Sequence, residues 1–183
     1  MSLNVEAADM SLGAVFASMT IPFINGDSIK SQFAFSEYYQ GFGFFGYVIT
    51  ISTQTMYKVK KGSASSFVFT GEVVSLPLTV TFTAGWNYVP CPYQVSTALG
   101  QAFGSLALAS DDTLKSQTAF TTYYVGFGWF GQLSSLEPGQ GYKMKTAGGG
   151  PATFGGLGAE SLQASPAAPP RAFAQAAKAL PTR

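Results

Sequence analysis

Apolar and polar residues alternate over most of this chain. "GYVITIST" (46–53), "MYKVKK" (56–61), "SFVFTG" (66–71) and the longer "LPLTVTFTAGWNYV" (76–89) all run in period two, the spacing of a strand with one face inside. "SIKSQFAF" (28–35) reads the same way, and "LNVE" (3–6) as a shorter strand. Two stretches break the alternation. "DMSLGAVFASM" (9–19) spaces Met10, Val15, Phe16 and Met19 as a helix with Asp9 as its N-cap, and "VSTALGQAFGSL" (95–106) offers Ser96 for the same role. "STQT" (52–55) and Pro138-Gly139 supply turns ahead of "MYKVKK" and "YKMK".

The pattern is written twice. "DSIKSQFAFSEYYQGFGFFGY" (27–47) and "DTLKSQTAFTTYYVGFGWFGQ" (112–132) lie 85 residues apart and agree at 13 of 21 positions. The same offset pairs "YKVK" (57–60) with "YKMK" (142–145), and Phe69 with Phe154. Upstream, "FASM" (16–19) matches "FGSL" (103–106) at an offset of 87. The expected organisation is repeat unit 1 over 1–71, a connector over 72–80, repeat unit 2 over 81–157, and a tail over 158–183. Unit 2 opens with "AGWNYVPCP" (84–92), whereas unit 1 has no Gly-Trp-Asn opening and reads as N-terminally truncated. The expected class is α+β: a β-rich tandem repeat of two similar units, each several antiparallel strands plus one short helix, related by a pseudo-two-fold axis. In the tail, "SPAAPP" (165–170) should be extended, and "RAFAQAAKAL" (171–180) reads as a short helix with Phe173, Ala177 and Leu180 on one face.

Composition sharpens this picture. Hydrophobic residues are 46% of the chain and aromatics 15%, but charged residues only 10%, against about 25% in an ordinary soluble domain. Apolar surface is therefore left over for a partner or for self-association. A net charge of +1 gives no case for nucleic acid or an anionic membrane as partner, and no run of 18 apolar residues spans a bilayer. The N-terminus lacks the basic and apolar regions of a signal or transit peptide, which suggests a mature or trimmed form.

Candidate chemistry is sparse. Without histidine, the commonest general base, the Ser-His-Asp and Cys-His arrangements and most metal sites are absent. "GFGFFG" and "GFGWFG" carry bulky rings and precede strands, unlike a phosphate loop opening a helix. Asp27 and the pair Asp111-Asp112 read as turn residues, and Asp27–Lys30 and Asp112–Lys115 as repeated ion pairs. Cys91, the single cysteine, reads as a buried thiol. The expectation is a protein that is not an enzyme and takes no cofactor or metal.

The distinctive feature is the phrase "YYxGFGxFG", too dense in rings for all to point inward: Phe42, Phe44 and Phe45 cannot share one strand face. Some rings should fill the core and the rest contact a neighbouring molecule. The candidate assembly residues are Tyr38, Phe42, Phe44 and Phe45, with Tyr123, Phe127, Trp129 and Phe130 in the second copy and Phe173 and Leu180 in the tail. A carbohydrate-binding or adhesive extracellular repeat module, resting on Trp86, Trp129 and the tyrosine pairs, is the alternative.

"GWN", a short helix, "D-x-[IL]-K-S-Q-x-A-F-x-x-Y-Y-x-G-F-G-[FW]-F-G" and "Y-K-[VM]-K" together resemble the tandem unit of the pyrenoid shell (PyShell) proteins of diatoms and related algae, over about residues 2–156. Related units also occur in large secreted repeat proteins of bacteria and marine algae. The resemblance implies a structural, self-assembling protein forming a sheet-like or tubular shell around the Rubisco-containing pyrenoid. It would lie in the plastid stroma at the pyrenoid periphery and support CO2 fixation without catalysing a reaction. The partners implied are further copies of the chain in a homo-oligomeric lattice, with Rubisco or other pyrenoid proteins beside it. "STQTMY" (52–57) stands where unit 2 has "EPGQGY" (137–142), so the two halves are not interchangeable.

Overall fold

A computed structural model describes residues 1–155 and 173–177 of the chain. It is β-rich, with strands in several sheets and only two helices among the described residues, α1 (Leu12–Val15) and α2 (Leu99–Ala102), one turn each. The α+β expectation is thus met in its β part, and the helical part shrinks to these two turns. Ser11, not Asp9, caps α1: its hydroxyl accepts the Ala14 N–H at 3.3 Å, while Asp9 accepts the Ser11 N–H at 2.8 Å. The N-cap of α2 is Ala98, and Ser96 instead donates to the Glu137 carboxylate at 2.6 Å.

The first half forms a four-stranded antiparallel sheet from β2 (Ser28–Lys30), β3 (Phe35–Tyr39), β4 (Gly43–Gly46) and β5 (Lys58–Lys60), in the order β4-β3-β2-β5. "SIKSQFAF" is therefore a hairpin and not one strand. The Ser31 hydroxyl bonds Ala34 and turns the chain between β2 and β3. "GYVITIST" does not form its expected strand either. Gly46 ends β4, and Tyr47–Ile51 make only the isolated bridge Ser11↔Thr50. Preceding this sheet is β1 (Val5–Glu6), and following it are β6 (Ser65–Phe69) and β7 (Glu72–Val73), which pairs with β1.

In the second half β8 (Leu78–Val89), β10 (Thr113–Lys115), β11 (Phe120–Tyr124), β12 (Gly128–Gly131) and β14 (Tyr142–Phe154) make a five-stranded sheet, β12-β11-β10-β14-β8. The short strands β9 (Thr97–Ala98) and β13 (Ser135–Leu136) pair beside it. Registers recur at the offset of 85: Ser36↔Gly46 and Tyr38↔Phe44 in one sheet match Thr121↔Gly131 and Tyr123↔Trp129 in the other. So do caps and corners. Asp27 accepts the N–H groups of Ile24 and Gly62, and Asp112 those of Ala109 and Ala147.

Those corners correct the expected Asp–Lys pairs. Asp27 is buried and pairs with buried Lys61 at 3.1 Å, while Lys30 points out from the exposed face of β2. Thr146 takes the place of Lys61 in the second half and donates to the Thr83 carbonyl, so Asp112 is held by amides alone. Asp111 sits at φ 72, where Gly26 has φ 84, which is a turn role.

The tail holds the largest departure. Phe173–Ala177 is a strand, β15, antiparallel to β6, and not a helix. Its register, Phe69↔Phe173 through Ser65↔Ala177, is the one by which Phe154↔Leu78 through Gly150↔Phe82 joins β14 to β8. Strand pairing satisfies the β6 edge, whereas an isolated turn or two of helix lacks a packing face. Leu180 lies outside the described residues.

Two hydrophobic clusters result. One gathers Leu12, Phe16, Phe23, Ile29, Ile51 and Phe67 among others; the second gathers Phe103, Leu114, Leu136, Tyr142, Met144 and Phe154. Buried polar contacts join them. Asn4 Nδ2 donates to the Tyr93 carbonyl at 2.6 Å, the Cys91 N–H to Ser2 Oγ at 2.9 Å, and Gln94 Nε2 to the Asn4 carbonyl at 2.7 Å. Cys91 is free and fully buried, and burial pushes its thiol up to about 12.

Candidate interaction surface

The two aromatic-glycine phrases form the hairpins β3–β4 and β11–β12, and period two sorts their rings onto opposite faces. Tyr38 and Phe44 are direct cross-strand partners on the inner face, with ring centroids 5.2 Å apart and edge to face. Phe23 packs on Phe44 at 4.8 Å and leads through Phe16 to Phe67. In the second hairpin Tyr123 and Trp129 make the equivalent pair at 5.3 Å, and Trp129 continues to Phe103 at 6.0 Å. These four candidates are half-buried and extend the core. Such aromatic pairs contribute roughly 0.5–1.5 kcal/mol each beyond burial.

Of the remaining candidates, Phe42, Phe45, Phe127 and Phe130 face out. Tyr39, Phe42 and Phe45 form an exposed cluster, with Phe42 78% accessible and contacting Phe45 edge to face. Tyr124, Phe127 and Phe130 repeat it and line a shallow cup of about 290 Å³, with Phe127 80% accessible. Phe35 and Phe120 extend each patch along its hairpin. A second concavity of about 420 Å³ runs between α1 and β4 and is lined by Phe16, Met19, Phe23, Phe44 and Ile49. Phe173 belongs to β15 on β6.

Glycines set this presentation. The Phe42 N–H donates to the Tyr39 carbonyl at 3.0 Å with Gly41 at φ 85, and the Phe127 N–H to Tyr124 at 3.0 Å with Gly126 at φ 82. These tight turns lift Phe42 and Phe127 off their sheets. At Gly46 a Cβ would strike the Phe35 carbonyl oxygen and lie 2.7 Å from Ser36 Cα; at Gly131 it would strike the Phe120 oxygen and lie 2.6 Å from Thr121 Cα. The strands approach so closely there that only glycine fits.

Of the two tryptophans, Trp129 packs into the fold and Trp86 stays 43% exposed. Trp129 faces Phe103 and Tyr123, and Trp86 lies 4.2 Å beneath the Lys115 ammonium. Ring density in the phrases was enough to anticipate a division between core and surface, but not which rings go where. It missed the lysines on the same outer faces: Lys58, Lys60, Lys143 and Lys145 alternate with buried Tyr57, Tyr142 and Met144, so each pair leaves the outer face of its sheet beside Lys30 or Lys115, which lie opposite Phe35 and Phe120. Six of the ten basic residues are placed this way, three on each sheet, which a net charge of +1 conceals. The "YKVK" and "YKMK" repeats were the available signal.

No family model matches the chain, nor does any curated protein or solved structure. What the fold and surface define is a β-rich protein carrying a duplicated, outward-facing aromatic cluster on two glycine-tightened hairpins.

Proposed function

We propose that the protein is a non-enzymatic structural protein that self-assembles into a sheet-like or tubular shell. The observation that carries this reading is the pair of exposed ring clusters, Tyr39-Phe42-Phe45 and Tyr124-Phe127-Phe130, presented alike from two hairpins. Exposed apolar patches of this kind seek cover. Two such patches on one chain allow contacts that propagate when the relating operation does not close. Strands β4 and β12, which carry Phe45 and Phe130, are end strands of their sheets and offer backbone as well as side chains.

The repetition of registers at an offset of 85 supports the finer picture of two tandem units related by a pseudo-two-fold axis. The sequence resemblance supports the setting: the periphery of the Rubisco-containing pyrenoid in the plastid stroma, with further copies of the chain, and Rubisco or other pyrenoid proteins, as partners in support of CO2 fixation. Negative-stain electron microscopy of the purified chain at increasing concentration tests assembly. Ordered sheets or tubes are expected; only single particles across a range of salt would overturn the reading.

A further inference from the structure

Two pairs of lysines stand directly opposite each other across neighbouring strands. Lys30 faces Lys58 between β2 and β5, and Lys115 faces Lys143 between β10 and β14. Cross-strand partners hold their Cβ atoms about 5 Å apart, and like charges so placed oppose folding. The halves of the chain then bring the pairs together. The Gln32 side chain straddles the outer edge of β8, donating to the Trp86 carbonyl at 3.1 Å and accepting the Tyr88 N–H at 2.7 Å. This seats the β2–β3 turn against the second sheet. Met56, two residues before Lys58, lies against Gly141, two residues before Lys143: a Cβ on Gly141 would be 2.7 Å from Met56 Cβ. The start of β5 therefore runs beside the start of β14, and the two lysine pairs are neighbours.

The cluster has little to neutralise it. The one ion pair among the described residues is Lys61–Asp27, and it is buried elsewhere. Glu37, the acid on the same side of the first sheet, lies opposite Ser28 in the row of Lys60, not in that of Lys30 and Lys58. Asp112 is buried and bound to amides, and Glu137 accepts from Ser96 and Ser135. Partial relief comes from rings alone: Trp86 under Lys115 at 4.2 Å and Tyr88 under Lys143 at 5.3 Å.

We propose that this junction binds a compact, multiply charged oxyanion, a free phosphate or the phosphate group of an ester, between Lys58 and Lys143 with Lys30 and Lys115 flanking it. Four lysines gathered at one junction can each direct N–H donors at a single bound centre. That geometry suits several oxygens on one centre better than the spaced charges of a polymer or a membrane. Charge-assisted hydrogen bonds from Lys to phosphate are among the stronger polar contacts. An anion there would also offset the partial burial and the neighbouring ammonium charges that lower Lys143 to about 8.

Thermal unfolding of the full chain at pH 7 and constant ionic strength tests the site, with chloride, inorganic phosphate and glycerol phosphate compared in turn at two protein concentrations. Phosphate should raise Tm beyond chloride in a ligand-dependent way at both protein concentrations. The glycerol phosphate arm shows whether an esterified group is accepted. In Lys58→Met/Lys143→Met the apparent affinity should fall at least about tenfold, while Lys178→Gln/Arg183→Gln, which removes equal charge from the tail, should keep the response. Equal Tm in chloride and both phosphates, or an undiminished phosphate response in Lys58→Met/Lys143→Met, overturns the proposal.

Discussion

Single residues here show how one sequence pattern can serve two environments. Asp27 and Asp112 accept the same two backbone donors, yet only Asp27 also holds a buried lysine. Lys143 shows the reverse, an ammonium disfavoured by its surroundings. Partial burial, then Lys58, Lys115 and Lys30, lower it from 10.5 to about 8. The charged form is thus less stable in the folded state than in the unfolded chain. The resulting penalty is fully present below pH 8, shrinks as pH rises from about 8 to 10.5, and is gone above that. Lys143→Met should therefore melt at a higher temperature than the parent at pH 7, with the gap closing towards pH 10.5; calorimetry across that range checks the sign.

At the scale of elements, the hairpins divide their rings between core and surface, so the two sets should behave differently when removed. Phe42→Ser/Phe127→Ser takes rings that are about four-fifths exposed and should shift Tm little, within roughly 0.5 kcal/mol, the usual span for surface changes. The same variant should raise the concentration needed for assembly, as light scattering would report. Phe44→Ala should instead destabilise the monomer by about 3 kcal/mol in chemical denaturation, because its ring bridges Tyr38 and Phe23. Strand β15 belongs to this scale as well. It covers on β6 the edge that Leu78–Phe82 covers on β14. Deleting residues 163–183 should leave near-native circular dichroism but expose that edge, and so alter the lattice; an unchanged lattice would show that the tail plays no part in assembly.

At the scale of the molecule, two hydrophobic clusters are joined by a thin seam of buried polar contacts and one close approach. A Cβ at Gly141 would lie 2.7 Å from Met56 Cβ and 2.9 Å from the Met1 carbonyl, so the second half leaves room there for the first. Gly141→Ala should cost about 1–3 kcal/mol by overpacking. It should also loosen the halves, read as faster reaction of buried Cys91 with a thiol reagent than in the parent.

Much of this was legible in the residues. The 85-residue repeat stands in the residues themselves, and the strand periods of "YKVK", "YKMK" and "SFVF" follow from alternation, a local property that side chains carry wherever the strand lies. Which rings turn inward was not legible, because that depends on which face of each hairpin meets the core. Local capping was less legible, because Asp9, Ser11 and Ser96 can all accept an amide and geometry chooses among them. Phe173–Ala177 is a strand although its alanines favour helix in isolation, because the unpaired edge of β6 favours a strand. The lysine junction escaped altogether. Its members lie far apart in the chain and on separate sheets, and each alone is an ordinary exposed residue. By itself, then, the sequence determined which residues alternate, repeat and turn. Tertiary structure alone decided which edges meet and which charges converge, since those depend on packing between segments that no local period encodes.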